Sequence, residues 1–226
     1  EVAGFWIKGR DLMRAARSDD ADAIISDLLP ARDLVDRYRR GYRCVHRTPV
    51  WALETARGCP FRCSFCAVGR TAHVERELGT VCEDFERVGG DIFVVDDLFF
   101  HPRERSRELA KELARRGVKK RWLLLQTRAD TVARSAEVLE RWRPLAERID
   151  LFFGFEAASD EELARLQKDA TLADAENGIA VARSLDYGVT GNFVIDPDWD
   201  EHDFERLWAT VDRLALDRVG FTVLTP

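Results

Sequence analysis

The sequence lacks the features of a nucleic-acid-binding or membrane-spanning protein. Its 226 residues carry 35 Lys and Arg against 41 Asp and Glu, so the formal net charge is -6. This balance provides no basic surface for nucleic acid or anionic lipid. No apolar run approaches the roughly 20 residues that a transmembrane helix needs, and no secretory signal, internal repeat or low-complexity segment is present. A soluble globular protein that acts on a small molecule, without nucleic acid or a membrane span, is therefore expected.

Methionine is almost absent as well. The only one is Met13, while the chain starts at Glu1 and stops at Pro226, directly after a strand-like run. We therefore interpret the sequence as an excised piece of a longer protein. The highly charged residues 1–47 are interpreted as an irregular connecting segment from a missing upstream domain, although a helical extension fits them equally well. Residues 48–226 are expected to form the core domain, with a C-terminal region missing.

Disulfide bonds are not expected either. The five cysteines are odd in number and three of them are clustered, whereas a disulfide framework needs paired cysteines in an oxidising compartment. Without a secretory signal, a cytoplasmic location and a metal site fit this pattern better. The cysteines are Cys44, Cys59, Cys63, Cys66 and Cys82.

Short apolar runs alternate with helical patterns from Val50 onward, and this alternation predicts an α/β fold. Helices are predicted over 103–116 and 135–148, each with apolar residues on one face. Strands that alternate with helices indicate a parallel sheet covered by helices, which is either open or curled into a partial barrel. The predicted strands are 50–55, 92–95, 122–125, 149–155, 189–195 and 219–224.

Three helix starts show a hydroxyl residue followed three positions later by an acid, which is the spacing of a capping box. They are predicted at Thr80, Ser159 and Thr171. In each case the hydroxyl can accept a hydrogen bond from a free backbone N–H, and the acid lies at the positive end of the helix.

Charged residues follow several of the predicted strands. In parallel α/β folds the ligand binds at the carboxyl ends of the strands, so these side chains are candidates for one shared site. The alternative is that the strands simply end in polar residues where they reach water. The residues are Glu54, Arg57, Asp96, Asp97, Arg128, Glu156 and Asp196.

The cysteine cluster has the spacing C-x3-C-x2-C, formed by Cys59, Cys63 and Cys66 directly after the first predicted strand. Thiolates are soft ligands that suit iron–sulfur clusters and zinc. Three of them can bind three irons of a cubane and leave the fourth iron open, as catalysis at a metal requires. A structural zinc site needs four protein ligands, and no fourth follows at zinc-finger spacing. The histidines are scattered, at His46, His73, His101 and His202.

With the aromatic Phe65 before the last cysteine, this motif resembles that of the radical S-adenosylmethionine (SAM) superfamily. From about Pro30 to Pro226 the chain is similar to the cobalamin-binding (B12) radical SAM methyltransferases. The run 196–200 resembles hopanoid C3-methylase-like members, and a minority subtype comprises tryptophan C2-methylase-like proteins. The matching segments are 29–33, 54–66, 95–99, 154–156, Lys168 with Thr171, and 224–226.

The resemblance implies an incomplete parallel (βα)6 barrel of the radical SAM type. It also implies three cofactors: a [4Fe-4S] cluster, SAM, and cobalamin bound mainly by the missing upstream domain. The implied activity is cobalamin-dependent methylation of a carbon centre in a small-molecule or natural-product substrate, with electrons from an external donor. The alternatives are another radical SAM reaction, as in a cyclase or methylthiotransferase, and a non-catalytic iron–sulfur or zinc module.

The resemblance also implies ligands of the cofactors. Cys59, Cys63 and Cys66 bind the cluster, whereas Cys44 and Cys82 are not candidates by spacing. Catalytic side chains are not assigned.

For SAM, the resemblance implies contacts at seven positions. Asp96 or Asp97 holds the amine, in place of the Gly-Gly-Glu run of many relatives, and Arg128 holds the carboxylate. Glu156 accepts from the ribose hydroxyls or the amine. Without a ligand, Asp96 and Asp97 would belong to a solvated turn, and Arg128 and Glu156 would form a salt bridge with each other. The positions implied to contact adenine are Phe65, Gly191 and Phe193, for which plain packing in the core or in a buried strand is the alternative.

Overall fold

The computed structural model describes residues 28–44, 46–68, 71–216 and 218–224. Within these ranges, a parallel sheet of six strands is accompanied by a separate two-stranded antiparallel ribbon. The main sheet contains β1 (Trp51–Leu53), β4 (Asp91–Val94), β5 (Lys120–Thr127), β6 (Ala146–Glu156), β7 (Gly188–Ile195) and β8 (Val219–Val223), and the ribbon contains β2 (Ala56–Arg57) and β3 (Val74–Glu75).

The strands of the main sheet lie in the order β1-β4-β5-β6-β7-β8, and each is parallel to its neighbours. Strands β1 and β8 form the two edges, so the sheet described here does not close on itself. The α/β fold, the six predicted strands and the incomplete parallel architecture are confirmed. The carboxyl ends of all six strands lie along one edge of the sheet, where the ligand site was expected.

Helices follow most of the strands. The helix predicted over 103–116 is confirmed, while the one predicted over 135–148 is too long. It ends at Trp142, a short 3-10 turn follows, and Ala146 already pairs with Lys120 in the sheet. Pro144 in that turn has no backbone N–H to continue a helix. The α-helices are α1 (Leu78–Arg87), α2 (Arg103–Arg115), α3 (Ala129–Ala133), α4 (Ala136–Trp142), α5 (Asp160–Arg165), α6 (Leu172–Ser184) and α7 (Glu201–Arg213), and the 3-10 helices are Arg32–Gly41 and Arg143–Leu145.

Two of the three predicted helix starts are confirmed. The hydroxyl of Thr171 accepts from the backbone N–H of Asp174, whose carboxylate accepts in return, and Ser159 caps α5 in the same position. The prediction at Thr80 is wrong, because the carboxylate of Glu77 caps α1 three residues earlier and accepts from the Thr80 N–H. The N-cap of α1 is therefore the acid Glu77, and not the hydroxyl residue Thr80.

The two faces of the sheet are packed differently. On one face, strand residues such as Leu125 and Phe153 join the large core beneath the helices. On the other, which we call the inner face, Val50, Trp122 and Leu124 form a smaller buried cluster. Successive side chains of a strand point to opposite faces, so Leu124 and Leu125 belong to different cores. The small cluster fills the inner face in the first part of the strands and leaves their carboxyl ends for other side chains.

The segment before β1 is attached to this sheet. The guanidinium of Arg32 pairs with the buried carboxylate of Asp84 at 2.6 Å and donates to the carbonyl of Ala52. The guanidinium of Arg39 lies 3.3 Å from the ring centroid of Trp51. Of the two alternatives for residues 1–47, the helical one holds for Arg32–Gly41, which forms a 3-10 helix; residues 1–27 lie outside the described part. Among the described residues, no helix is both long and apolar enough to cross a membrane.

Candidate functional site

The three clustered cysteines lie on the loop 58–68 between β2 and β3, which we call the cysteine loop. It starts at Gly58, whose φ of +82° is strained for any residue with a side chain, and an added Cβ would overlap the carbonyl oxygen of Ala72. The backbone N–H of Gly58 donates to a carboxylate oxygen of Asp97 at 2.8 Å. Because Asp97 follows β4 in the main sheet, this bond fixes the start of the loop at the carboxyl edge.

Backbone hydrogen bonds also hold the middle of the cysteine loop. The backbone N–H of Ser64 donates to the carbonyl of Leu166 at 2.9 Å, and that of Cys66 donates to the carbonyl of Cys63 at 3.1 Å. Leu166 directly follows α5, so the segment after α5 supports the loop from one side. Residues 58–67 thus have a defined path even though they contain no helix or strand.

The thiols of Cys59, Cys63 and Cys66 are free and partly buried, and all three line the same two cavities. The larger cavity has a volume of about 730 Å³, within the range of roughly 300–1,000 Å³ typical of small-molecule sites. The smaller one, of about 240 Å³, reaches the inner face of the sheet. Residues that line the smaller cavity include Phe61, Phe65, Asp97, Gln126, Thr127, Arg128, Phe152, Glu156, Lys168 and Asn192.

The surroundings of the thiols act on their charge in opposite ways. Burial raises the pKa of the Cys59 thiol, while the nearby Arg128 guanidinium opposes that rise. The Nη1 atom of Arg128 also lies 3.9 Å from Sγ of Cys63. A cation beside thiols favours the thiolate, which is the form that binds metal.

The donor set is one that suits soft metals. Three thiols on one loop line the same two cavities, and thiolates are the ligands that iron–sulfur clusters and zinc prefer. Within the described ranges, no group of three or more His, Cys, Asp or Glu side chains is arranged to hold a single metal ion.

The adjacent acids after β4 have different surroundings. Asp96 is buried, and its carboxylate accepts from both the backbone N–H, at 2.6 Å, and the hydroxyl of Thr55. Burial raises the pKa of Asp96 to about 7, although the Thr55 bonds oppose the rise. Asp97 instead lines the smaller cavity and holds Gly58. Of the two acids that the sequence left open, the structure brings only Asp97 to the cavity.

Arg128 and Glu156 both line the smaller cavity, but they do not pair with each other. The Nε atom of Arg128 pairs with Asp130 at 2.8 Å, and Nζ of Lys168 pairs with Glu156 at 2.9 Å. The salt bridge that the sequence offered as the alternative role of Arg128 and Glu156 is therefore not formed.

The backbone at Glu156 is unusual. Its φ is +70°, and the register between β6 and β7 shifts between Gly154 and Glu156. A bulge of this kind re-aims a side chain and is common beside active sites. Here it delivers the Glu156 carboxylate to the cavity, beside Lys168.

The predicted adenine contacts divide into two groups. Phe65 lines the smaller cavity. Gly191 and Phe193 are buried on the opposite side of β7, where an added Cβ at Gly191 would press against the ring of Phe155. Asn192, between them, lines the cavity instead. The side chains of Gly191 and Phe193 therefore do not reach the cavity, and a contact through their backbone remains a prediction.

Several cavity residues were not assigned from the sequence. Gln126 and Asn192 interrupt apolar strands, and a polar residue on the inner face of a buried strand is the signal that could have found them. Thr127 gave no such signal, and in the structure its hydroxyl donates to the carbonyl of Phe99. Lys168 was noted only as part of a matching segment, and its partner is 12 residues away.

Residues 53–210 match the Radical SAM superfamily. A hopanoid C-3 methylase of Methylococcus capsulatus is 36% identical over 191 residues, which are 81% of this chain and 36% of the relative. An anaerobic magnesium-protoporphyrin IX monomethyl ester cyclase of Cereibacter sphaeroides is 29% identical over 152 residues, 63% of this chain and 24% of the relative. The chain thus spans well under half the length of these relatives.

Solved structures with a similar fold include a cobalamin-binding one. It is the radical S-adenosylmethionine methyltransferase TsrM from Kitasatospora setae, with cobalamin and a [4Fe-4S] cluster bound. The TM-score is 0.65 at 19% identity, and the match covers 80% of this chain and 40% of that one. At this identity the similarity is one of fold.

Proposed function

Because the chain belongs to the radical SAM superfamily, we propose that Cys59, Cys63 and Cys66 bind a [4Fe-4S] cluster and that SAM binds in the cavities beside them. We propose further that the full-length protein uses cobalamin to methylate a carbon centre of a small-molecule substrate. The observation that carries the first proposal is that all three thiols line both cavities at the carboxyl edge of the sheet. The second is supported by the similarity to a hopanoid C-3 methylase and to TsrM.

Three protein ligands suit a cluster that reacts with SAM. They would leave one iron open for SAM, and the chemistry supplied by a bound cluster would be the one-electron reduction that cleaves SAM. The electron comes from an external donor. The protein's part is to hold three thiolates at fixed positions, through the Gly58–Asp97 bond at the start of the loop and the Ser64–Leu166 bond in its middle.

The smaller cavity has the polar and apolar groups that SAM requires. The Asp97 carboxylate is an acceptor for the SAM amine, and it also orients the cysteine loop, so one side chain positions both partners. Glu156 and Asn192 offer acceptors for the ribose hydroxyls. Phe65 and Phe152 supply apolar walls that limit the access of water to a reactive species.

The cluster proposal is tested by iron analysis after anaerobic reconstitution. Cys59→Ala, Cys63→Ala and Cys66→Ala should each abolish cluster binding, because two irons are left without a protein ligand. Cys44→Ala and Cys82→Ala are matched controls that should keep the wild-type iron content. Full iron loading of Cys63→Ala would contradict the proposal.

SAM binding separates a radical SAM enzyme from an electron carrier. The paramagnetic resonance spectrum of the reduced cluster should change when SAM is added, because SAM binds the open iron. An unchanged spectrum at saturating SAM would favour a carrier, whose fourth iron is bound by protein.

The reaction itself is tested on the full-length protein. The relatives are longer than this chain, which covers 36% of the methylase and 24% of the cyclase, so we propose that further parts of the protein hold cobalamin and select the substrate. Methylation predicts a product heavier by one methyl group. The similarity to a cyclase keeps cyclisation as a second candidate, which predicts no gain of a methyl group; a gain of sulfur would indicate a methylthiotransferase instead.

A further inference from the structure

The guanidinium of Arg128 is held by three separate parts of the protein. Its Nε donates to Asp130 on α3 at 2.8 Å, and its Nη2 donates to the carbonyl of Asp169, after α5, at 2.9 Å. Its Nη1 points to Sγ of Cys63 on the cysteine loop at 3.9 Å. Each nitrogen of the group therefore has a protein partner.

The position of Arg128 is also fixed by packing. The side chain is 6% exposed, and its guanidinium lies 3.7 Å from the ring centroid of Phe61 on the cysteine loop. A cation–π contact of this kind, combined with a carboxylate partner, suits arginine better than lysine. With each of its three nitrogens bonded within the protein, the guanidinium is held beside Cys63.

We propose that Arg128 acts on the cluster through Cys63, and not on the carboxylate of SAM, and that it raises the reduction potential of the cluster. This inference rests on the proposed function, since it requires a cluster on Cys59, Cys63 and Cys66. Arg128 is then a positioning and tuning residue for the electron transfer that precedes SAM cleavage.

The direction of the effect follows from charge. Reduction adds one electron, taken from an external donor, to a cluster that already carries three thiolates. A buried cation beside one ligand sulfur stabilises the more negative reduced form, and so does an N–H bond to that sulfur. Asp130 opposes the effect, because its carboxylate places a negative charge next to the same guanidinium. Arg128 and Asp130 should therefore shift the potential in opposite directions.

The experiment is a potentiometric titration of the reconstituted protein, followed by paramagnetic resonance of the reduced cluster. Asp130→Asn keeps the cation and should raise the potential. The double variant Arg128→Gln/Asp130→Asn removes both charges of the buried pair and should lower the potential below that of Asp130→Asn. We expect at least a tenfold change in the one-electron equilibrium between these two variants, which corresponds to about 59 mV.

Iron content and equilibrium SAM binding of each variant complete the test. Equal potentials for the two variants at full iron loading would overturn the inference and leave the proposed function intact. If the double variant has the same potential as Asp130→Asn but binds SAM ten times more weakly, Arg128 is a SAM ligand instead. If the double variant loads no iron, Asp130→Asn alone decides, since an unchanged or lower potential contradicts the charge argument. A wild-type protein that binds no iron would overturn the proposed function and this inference with it.

Discussion

The ion pair between Lys168 and Glu156 is buried in the wall of the smaller cavity, and its contribution to stability can be measured. The Nζ and Oε1 atoms are 2.9 Å apart, and the side chains are 8% and 10% exposed. Lys168 lies between two residues with positive φ, Gln167 and Asp169, both at +51°. Residues with positive φ therefore flank Lys168 on both sides, and both side chains of the pair have little exposed surface.

Lys168→Met should therefore destabilise the fold strongly. Removal of one partner of a buried ion pair costs about 3–5 kcal/mol, because the remaining charge loses its compensation. We expect about 3 kcal/mol. Lys111→Met, at an exposed position of α2, is the matched control and should change the unfolding free energy by less than about 0.5 kcal/mol.

The double variant Lys168→Met/Glu156→Gln separates the charge from the loss of packing. It leaves no uncompensated charge, so it should be more stable than Lys168→Met alone. The coupling energy between the two positions should be on the order of 2 kcal/mol. Urea denaturation at pH 7 of the wild type, Lys168→Met, Glu156→Gln and the double variant measures these differences. Strictly additive effects, or a loss below about 1 kcal/mol in Lys168→Met, would refute the reasoning from burial.

Three further predictions follow from other contacts. Gly58→Ala should lower both stability and iron content, because the added Cβ overlaps the carbonyl of Ala72; Gly117→Ala, with a similar φ of +70° and no atom within 4 Å of the added Cβ, should leave iron content unchanged. Equal iron loss in both variants would show that strain in φ, and not the overlap, is responsible. Asp96 has its pKa raised from 3.8 to about 7, so the folded state binds its proton more tightly and the unfolding free energy should fall as pH rises from about 4 to about 7. Asp96→Asn should abolish that part of the pH dependence, and an unchanged profile would contradict the assignment. Finally, the reconstituted chain should bind SAM but form no methylated product with added methylcobalamin, whereas the full-length protein should form it; comparable product by mass from both would show that the additional parts are dispensable.

The sheet could be predicted from sequence because each strand is an apolar run bounded by polar residues. The prediction failed where one pattern fits two structures. Ala146 and Ile149 continue the apolar face of a helix that starts near Ser135, yet they also begin strand β6. The ribbon of β2 and β3 was not predicted, because each strand has only two residues and no periodicity can show in so short a run.

The polar residues of the cavity show why a site is harder to predict than a fold. Asp96 and Asp97 are adjacent and chemically identical, yet one is bound to Thr55 and the other faces the cavity. Gly191 and Asn192 are divided in the same way. For Gly191 and Asn192, the alternation of strand β7 fixes that neighbours point to opposite faces, but only the packed sheet decides which face holds the cavity. Asp96 and Asp97 lie after the end of β4, where no strand periodicity applies.

Arg128 shows a further limit that concerns partners and not position. Its charge at the end of β5 marks it as a ligand candidate, and the same charge suits a SAM carboxylate or a thiolate. The choice depends on Cys63, 65 residues earlier in the chain, and on Asp169, 41 residues later. Those distances in sequence are closed only because the cysteine loop and the segment after α5 meet at the same edge of the sheet, through the Ser64–Leu166 bond. The fold therefore determines the role of this side chain, and the opposite shifts expected for Arg128 and Asp130 test that determination directly.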